Sequence, residues 1–408
     1  MSNGWSRWVV VALCAVLVSG LAAPRSGRAE DKKPQTVSSE VVKKLKPAQD
    51  AVQKSDFDTA ITLAREGLAI STKPYDKEMS LRILQFAAAK KQDYTIYAEA
   101  TEQLNQLEAL PAEEKLKNFK ALAQIYAQQK NYERSTENAS KWAEGGGGFD
   151  SYTLLWQLYL MQRDCKNGIV ALEKAVEIAA RPPSEEELRR EYSCYYQLGD
   201  KAKRQASLES LVQRFLKKDY YTDLLNLYLE INTDERALLH LYRFGYDRDF
   251  LTRESELVEF AASALNSGSP SEAEKIMQKG QSIEAIKFIA ASDRNSRLLA
   301  HAKQQAAEDR KGIAQFDKEA RAGSNGEADV KLGLVYLGFG DPAKAVEAIQ
   351  RGLTPERVAK VKRLDDARMM LGIAFARLGK KDEATQAFTA AKADPRMAKV
   401  AAVYLAAL

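Results

Sequence analysis

Two stretches near the C-terminal end decide the reading: KLGLVYLGFGDPAKAVEAIQRGL, residues 331–353, and MMLGIAFARLGKKDEATQAFTAAK, residues 369–392. In the first, Leu332-Gly333, Tyr336, Gly340-Asp341, Ala345, Ile349 and Gly352 form a series. In the second, Leu371-Gly372, Phe375, Gly379, Ala384, Phe388 and Ala391 repeat it at the same offsets, with Lys380 at the Asp341 position. Leu332 and Tyr336 lie four apart, on one face of a helix. Gly340-Asp341 supplies a turn, and Ala345, Ile349 and Gly352 continue an inward face on a second helix. The small residue at 345 lets two helices approach closely. Each stretch therefore predicts a helical hairpin.

Weaker copies extend upstream. Phe119, Leu122, Ala123 and Tyr126 precede a turn at 130–132, then Ser135, Ala139 and Trp142. Tyr152, Leu155, Trp156 and Tyr159 precede Gly168, Leu172 and Ala175. Leu188, Tyr192 and Tyr195 precede Leu208 and Leu211, and Tyr221, Leu224, Leu225 and Tyr228 precede Ala237, Leu241 and Phe244. Tyr126, Tyr159, Tyr195 and Tyr228 are 33, 36 and 33 residues apart. Fainter copies fill residues 48–67, 81–104 and 257–280. This pattern resembles the tetratricopeptide repeat (TPR), a helical hairpin of roughly 34 residues with a Leu-Gly…Tyr…Gly…Ala…Phe…Ala signature. The resemblance covers roughly residues 41–397 and implies an all-α fold, a right-handed α-solenoid of stacked TPR-like hairpins.

The pattern also departs from the repeat. Ala123, Trp156, Tyr192 and Leu225 stand where the pair would have Gly, so the middle of the array is expected to stack differently. Pro182-Pro183 and the insert between Leu353 and Asp365 stretch the spacing. Gly145–Gly148 reads as a flexible link, and residues 285–322 as one more, poorly marked hairpin. Gly-Ser-Asn-Gly at 323–326 is the best candidate boundary. The expected organisation is a leader at 1–29, a linker at 30–40, a degenerate solenoid at 41–322 and a C-terminal pair of hairpins at 323–408.

The leader is read from Arg7, the apolar run Val9–Val18 extended through Leu21–Ala23, and the small residues Gly27 and Ala29, which place a cut after Ala29. A cut after Ala22 is the runner-up, and an uncleaved anchor the bland alternative. About fifteen apolar residues is short for a span needing roughly twenty. Removing 1–29 takes away Arg7, Arg25 and Arg28 and lowers the net charge from +5 to +2. So small an excess gives no electrostatic case for nucleic acid. No integral span is expected after cleavage.

Cys165 and Cys194 remain after cleavage. In the repeat register Cys165 opens the second helix of one hairpin and Cys194 lies near the end of the first helix of the next. Antiparallel neighbours place both at one edge, where Cα atoms can come within the roughly 7 Å a bridge needs. An even count in an exported chain favours a disulfide over two separate buried thiols.

Catalytic and metal patterns are missing. His240 and His301 are the two histidines of the chain, and neither has a ligand-spaced partner. His240 sits among Leu238, Leu239 and Leu241 and reads as a packed or half-exposed residue. Gly145–Gly148 lacks the Lys-Ser/Thr of a phosphate loop, and no Gly-x-Ser-x-Gly elbow occurs. Glu185–Glu187 after Ser184 reads as a helix start. The recurring Tyr and Trp positions read as packing rather than as base-stacking platforms. No cofactor and no metal is expected.

Stacked hairpins form a superhelix whose concave face is built from the first helix of each pair. The register puts Arg82, Phe86, Lys120, Gln124, Thr153, Gln157, Arg189, Ser193, Tyr196, Thr222 and Asn226 there, a polar, weakly basic face for an extended peptide or a protein surface. The stretch Lys218–Asn226 (KDYYTDLLN), the cysteine pair and the final two hairpins are similar to periplasmic TPR proteins of Gram-negative bacteria that accompany TonB-type energy-transduction components. That resemblance implies a periplasmic interaction scaffold serving TonB-system partners. The alternative is an accessory envelope enzyme with a site between the solenoid and the last hairpins.

Overall fold

The computed structural model describes residues 35–408 apart from 232, 289 and 291. The expected leader, with its cut after Ala29, lies outside the described residues. Every regular element among the described residues is helical. The chain divides into two compact units at Pro182/Pro183, the proline pair that stretches the repeat spacing.

The first unit holds α1 (Ser39–Gln53), α2 (Phe57–Ala69), α3 (Pro74–Lys91), α4 (Tyr94–Asn105), α5 (Ala112–Gln128), α6 (Tyr132–Glu144), α7 (Gly148–Met161) and α8 (Cys165–Ala179). They pair as α1/α2, α3/α4, α5/α6 and α7/α8, and each pair stacks on the next. The second unit begins with the hairpins α9/α10 (Glu185–Leu198, Lys201–Arg214), α11/α12 (Lys218–Glu230, Glu235–Asp247) and α13/α14 (Glu254–Asn266, Pro270–Ser282). A single helix, α15 (Arg294–Ala322), follows. Then come α16/α17 (Gly326–Phe339, Pro342–Gly352), a 3₁₀ turn at Val358–Lys360, α18/α19 (Leu364–Arg377, Lys381–Lys392) and α20 (Ala398–Ala406). Stacked helical hairpins are thus the building principle of both units.

One turn recurs, and its chemistry is local. A residue one or two past the first helix takes a positive φ, at Ser55 (58°), Gln92 (63°), Lys130 (59°), Arg163 (59°), Gly199 (70°), Gly268 (85°), Gly340 (77°) and Gly379 (73°). The next backbone N–H returns to a carbonyl five residues back: Asp56 to Ala51, Asp93 to Ala88, Asn131 to Tyr126, Asp164 to Tyr159, Asp200 to Tyr195 and Asp341 to Tyr336. This satisfies carbonyls that the helix end would leave unpaired. The same Asp or Asn then caps the second helix, its side chain accepting from the N–H three residues on. Between α11 and α12 the returning N–H belongs to Thr233 and the cap to Asp234, one residue later.

The repeat core is where the register put it. Tyr126, Tyr195, Tyr228, Ala139, Leu172, Ala345, Ile349, Ala384 and Phe388 are all buried. Gly333 and Gly372 mark the closest helix approach: a Cβ at Gly333 would run into the Ile349 side chain, and one at Gly372 into the Phe388 ring. Without glycine the pairs α16/α17 and α18/α19 would have to separate.

Two local readings are corrected. Residues 285–322 do not form a hairpin, because α15 runs unbroken over 29 residues. That stretch is rich in Ala, Gln, Lys, Glu and Arg, all good helix formers. Its one breaker is Gly312, with open space around it. Gly145–Gly148 is a tight junction rather than a loose link: Gly147 N–H bonds Trp142 O at 2.9 Å and Gly148 opens α7. Residues 323–325 join α15 to α16 inside the second unit, whose buried core runs on from Leu188 to Tyr404.

The course of the second unit also differs from a plain stack. Helices α18 and α20 pack against α12, α20 against α10, and α16 against α14. The last hairpins therefore cover the second helices of the unit's earlier hairpins. Tyr404 carries the contact, with its ring 4.7 Å from that of Phe388 and 5.0 Å from that of Phe244.

Candidate partner-binding surface

All the face positions expected from the register fall on first helices: Arg82 and Phe86 on α3, Lys120 and Gln124 on α5, Thr153 and Gln157 on α7, Arg189, Ser193 and Tyr196 on α9, Thr222 and Asn226 on α11. The first three pairs lie in the first unit and the remainder in the second. No hydrogen bond joins any two of them among the described residues.

In the first unit these side chains are largely engaged within the chain. The Arg82 guanidinium donates to Glu78 at 2.8–3.0 Å and to Glu114 at 2.6–3.0 Å, tying α3 to α5. Its charge is matched internally, so the weakly basic character expected here is muted. The Lys90 ammonium lies 5.5 Å from the Phe86 ring centre, and Lys120 lies 5.1 Å from the Trp142 ring. Gln124, Thr153 and Gln157 are half-buried. The Thr153 hydroxyl is buried with no hydrogen-bond partner.

In the second unit the same positions are open. Arg189, Ser193, Tyr196 and Asn226 are exposed, and Tyr196 shows 65% of its surface. Arg204 stacks 5.6 Å from the Tyr196 ring centre. Thr222 lines a depression of about 390 Å³ with Lys218, Asp219, Asp223, Thr252, Arg253 and Glu256. Glu256 closes its floor by accepting from the backbone N–H of Arg253 at 3.0 Å and from its guanidinium at 2.6 Å. Lys218 bridges the rim to Thr252 at 2.7 Å. Partial burial, helped by neighbouring Asp219, pushes the Asp223 carboxyl above its ordinary range. The surface offers an exposed aromatic, a guanidinium, amide and hydroxyl groups and carboxylates, which suits polar peptide recognition.

A second assembly escaped the sequence reading. His240 on α12 is fully buried, and its Nε2 lies 2.7 Å from Asp366 Oδ1 on α18. Its Nδ1 lies 3.2 Å from Arg243 Nη1. Arg243, 1% exposed, donates twice to Glu272 on α14, at 2.9 and 2.7 Å. The Tyr404 hydroxyl of α20 donates to the His240 carbonyl at 2.8 Å. Burial lowers the His240 pKa, and Arg243 adds to the effect against the pull of Asp366. Burial pushes Glu272 up, but the charge and hydrogen bonds of Arg243 outweigh it and hold the carboxyl below its ordinary range. Asp366 is also held low: burial works against it, and the His240 hydrogen bond and nearby cations prevail. The sequence does carry a signal, since His240 and Arg243 stand three apart in the apolar run ALLHLYRFGY, residues 237–246. Their partners Glu272 and Asp366 occupy first turns of helices, where carboxylates are ordinary.

This array lies where an envelope-enzyme reading would put a site, between the earlier hairpins and the last ones. Its residues are no more than 7% exposed, and each histidine nitrogen already has a partner. No group of His, Cys, Asp or Glu among the described residues could hold a metal ion. No helix among them is long and apolar enough to cross a membrane.

No protein-family model matches the chain, and no curated protein matches it in sequence. Solved structures do resemble it. A tetratricopeptide repeat protein from Parabacteroides merdae is 10% identical, the match covering 65% of this chain and 100% of that one, with a TM-score of 0.29. The structure of Naa15/Naa10 bound to HypK gives 14% identity over 88% of this chain and 70% of that one, with a TM-score of 0.31. The TPR domain of P58(IPK) gives 13% identity over 89% and 96%, with a TM-score of 0.23.

Proposed function

We propose that the chain is a non-catalytic protein–protein interaction scaffold of the bacterial cell envelope, exported to the periplasm. Its partner is a peptide or protein held on the first-helix face, and TonB-system components are the partners suggested by the stretch 218–226. The observation that carries this reading is Tyr196: a large aromatic, 65% exposed, beside Arg189, Ser193 and Arg204 on the α9/α10 hairpin. Exposed Tyr and Arg on a firm scaffold are the side chains that anchor interfaces. The proposal includes a Cys165–Cys194 disulfide, both residues being buried, Cys165 as the first residue of α8 and Cys194 four before the end of α9.

The test is affinity capture from periplasmic extract with the mature chain and with a triple variant, Arg189→Ala, Tyr196→Ala and Asn226→Ala. The scaffold reading expects a stoichiometric partner retained by the parent chain and lost by the variant. Equal capture by both would remove the first-helix face from the account.

A further inference from the structure

We infer that the His240–Asp366 contact makes closure of the C-terminal helices over α12 an acid-sensitive clasp. The contact joins residues 126 apart in sequence, in an interface also tied by Tyr404 to the His240 carbonyl, by Arg236 to Asp366 and by Arg248 to the Ala407 carbonyl. At its two ends Arg363 pairs with Asp234 at 3.1 Å and Arg377 with Asp247 at 3.0 Å. Between them only the imidazole changes charge near neutral pH.

The geometry fixes which form the closed state needs. Arg243 has no acceptor, so the Nδ1 atom facing it must be the bare nitrogen, and Nε2–H donates to Asp366. The closed clasp therefore holds neutral His240 in one tautomer. A proton added at Nδ1 would face the Arg243 guanidinium in a dry interior and break that contact. The groups around the ring are Arg236 and Arg243 from α12, Glu272 from α14, Asp366 from α18 and the Tyr404 hydroxyl from α20. Tyr221 of α11 turns its hydroxyl to the Leu241 carbonyl, and Glu256 of α13 lies toward Tyr242. Glu272 is already committed to Arg243, so it offers the imidazolium no new partner.

In the open form His240 meets water and titrates near 6.5. Acid therefore favours opening, by up to roughly tenfold per pH unit between that value and the lower pKa of the closed form. Opening uncovers Phe244 and Tyr404, now buried against each other. The clasp would present this aromatic surface in acid and hide it at neutral pH.

Hydrogen exchange of the whole chain at pH 7.5 and 5.5, corrected for intrinsic rates, tests this. Protection of α18 and α20 should fall by roughly tenfold at pH 5.5, with α1–α8 unchanged. His240→Gln keeps a donor for Asp366 and an acceptor for Arg243 without a titrating group, so its protection should be the same at both values. Equal protection of the parent chain at both pH values, or an acid response undiminished in His240→Gln, would overturn the clasp. Should that variant not fold, the imidazole ¹⁵N shifts of the parent chain decide: a His240 that titrates at or above 6.5 contradicts it.

Discussion

Arg243 of α12 is fully buried and holds Glu272 of α14 in a two-pronged ion pair of 2.7 and 2.9 Å. Such a pair is retained because each charge answers the other, not because charge burial itself stabilises. Arg243→Met should therefore destabilise the second unit by about 3–5 kcal/mol, since Glu272 is left buried and uncompensated. The double variant Arg243→Met with Glu272→Met should recover most of that loss. Urea unfolding followed by tyrosine fluorescence measures both, and a double variant no better than the single one would contradict the pairing.

The carboxylates of this cluster set a separate acid limit. Glu272 and Asp366 are held below their ordinary pKa values in the folded chain. Their contribution to stability is present above the unfolded values, about pH 4, and is lost as pH falls through the folded ones. The urea midpoint of the second unit should therefore drop again below about pH 4. In Glu272→Gln that final drop should shrink. An unchanged acid limb would show that other carboxylates set it.

The hairpin turns make a prediction of opposite signs. Lys130 and Arg163 hold the left-handed conformation that Gly340 and Gly379 hold at the same place in later hairpins. A side chain there costs about 1–2 kcal/mol, and glycine gives back about half of that in unfolded-chain entropy. Lys130→Gly should raise stability by about 0.5–1 kcal/mol. Gly379→Ala should lower it by a similar amount, because nothing lies within 4 Å of the new methyl and the whole cost is conformational. Thermal melts of the two variants should move in opposite directions.

Much of this fold is legible because the repeat is written in side-chain size. The small residues Ala139 and Ala345 and the Asp and Asn caps each report a contact within one hairpin, while Tyr126 also reaches Glu102 of the hairpin before it. Helix α15 was misread because a repeat register, once adopted, invites another hairpin where nothing in the stretch breaks a helix. The closure of α18 and α20 on α12 could not be seen, since His240–Asp366 and Tyr404–His240 join segments 126 and 164 residues apart. The expected face positions fall on first helices. Which were free was not legible, because Arg82 finds Glu114 32 residues on in the next hairpin.

Export and oxidation of the cysteines can be read together. Chain recovered from the periplasm should begin at Glu30, and its digest without reductant should contain the peptides of Cys165 and Cys194 joined. Reduction should cost about 3 kcal/mol, from the loop of roughly thirty residues it reopens. A chain that keeps Met1, or that yields both cysteines as free thiols, would contradict this part of the account.

The most direct test of the scaffold itself is site-specific photo-crosslinking in living cells. A photoreactive residue would be placed at Tyr196 on first helix α9 and, in parallel, at exposed Ala206 on second helix α10. A discrete protein adduct from position 196, with none from 206, is the expected result. Adducts from 206 alone, or from neither position, would contradict a partner held on the first-helix face.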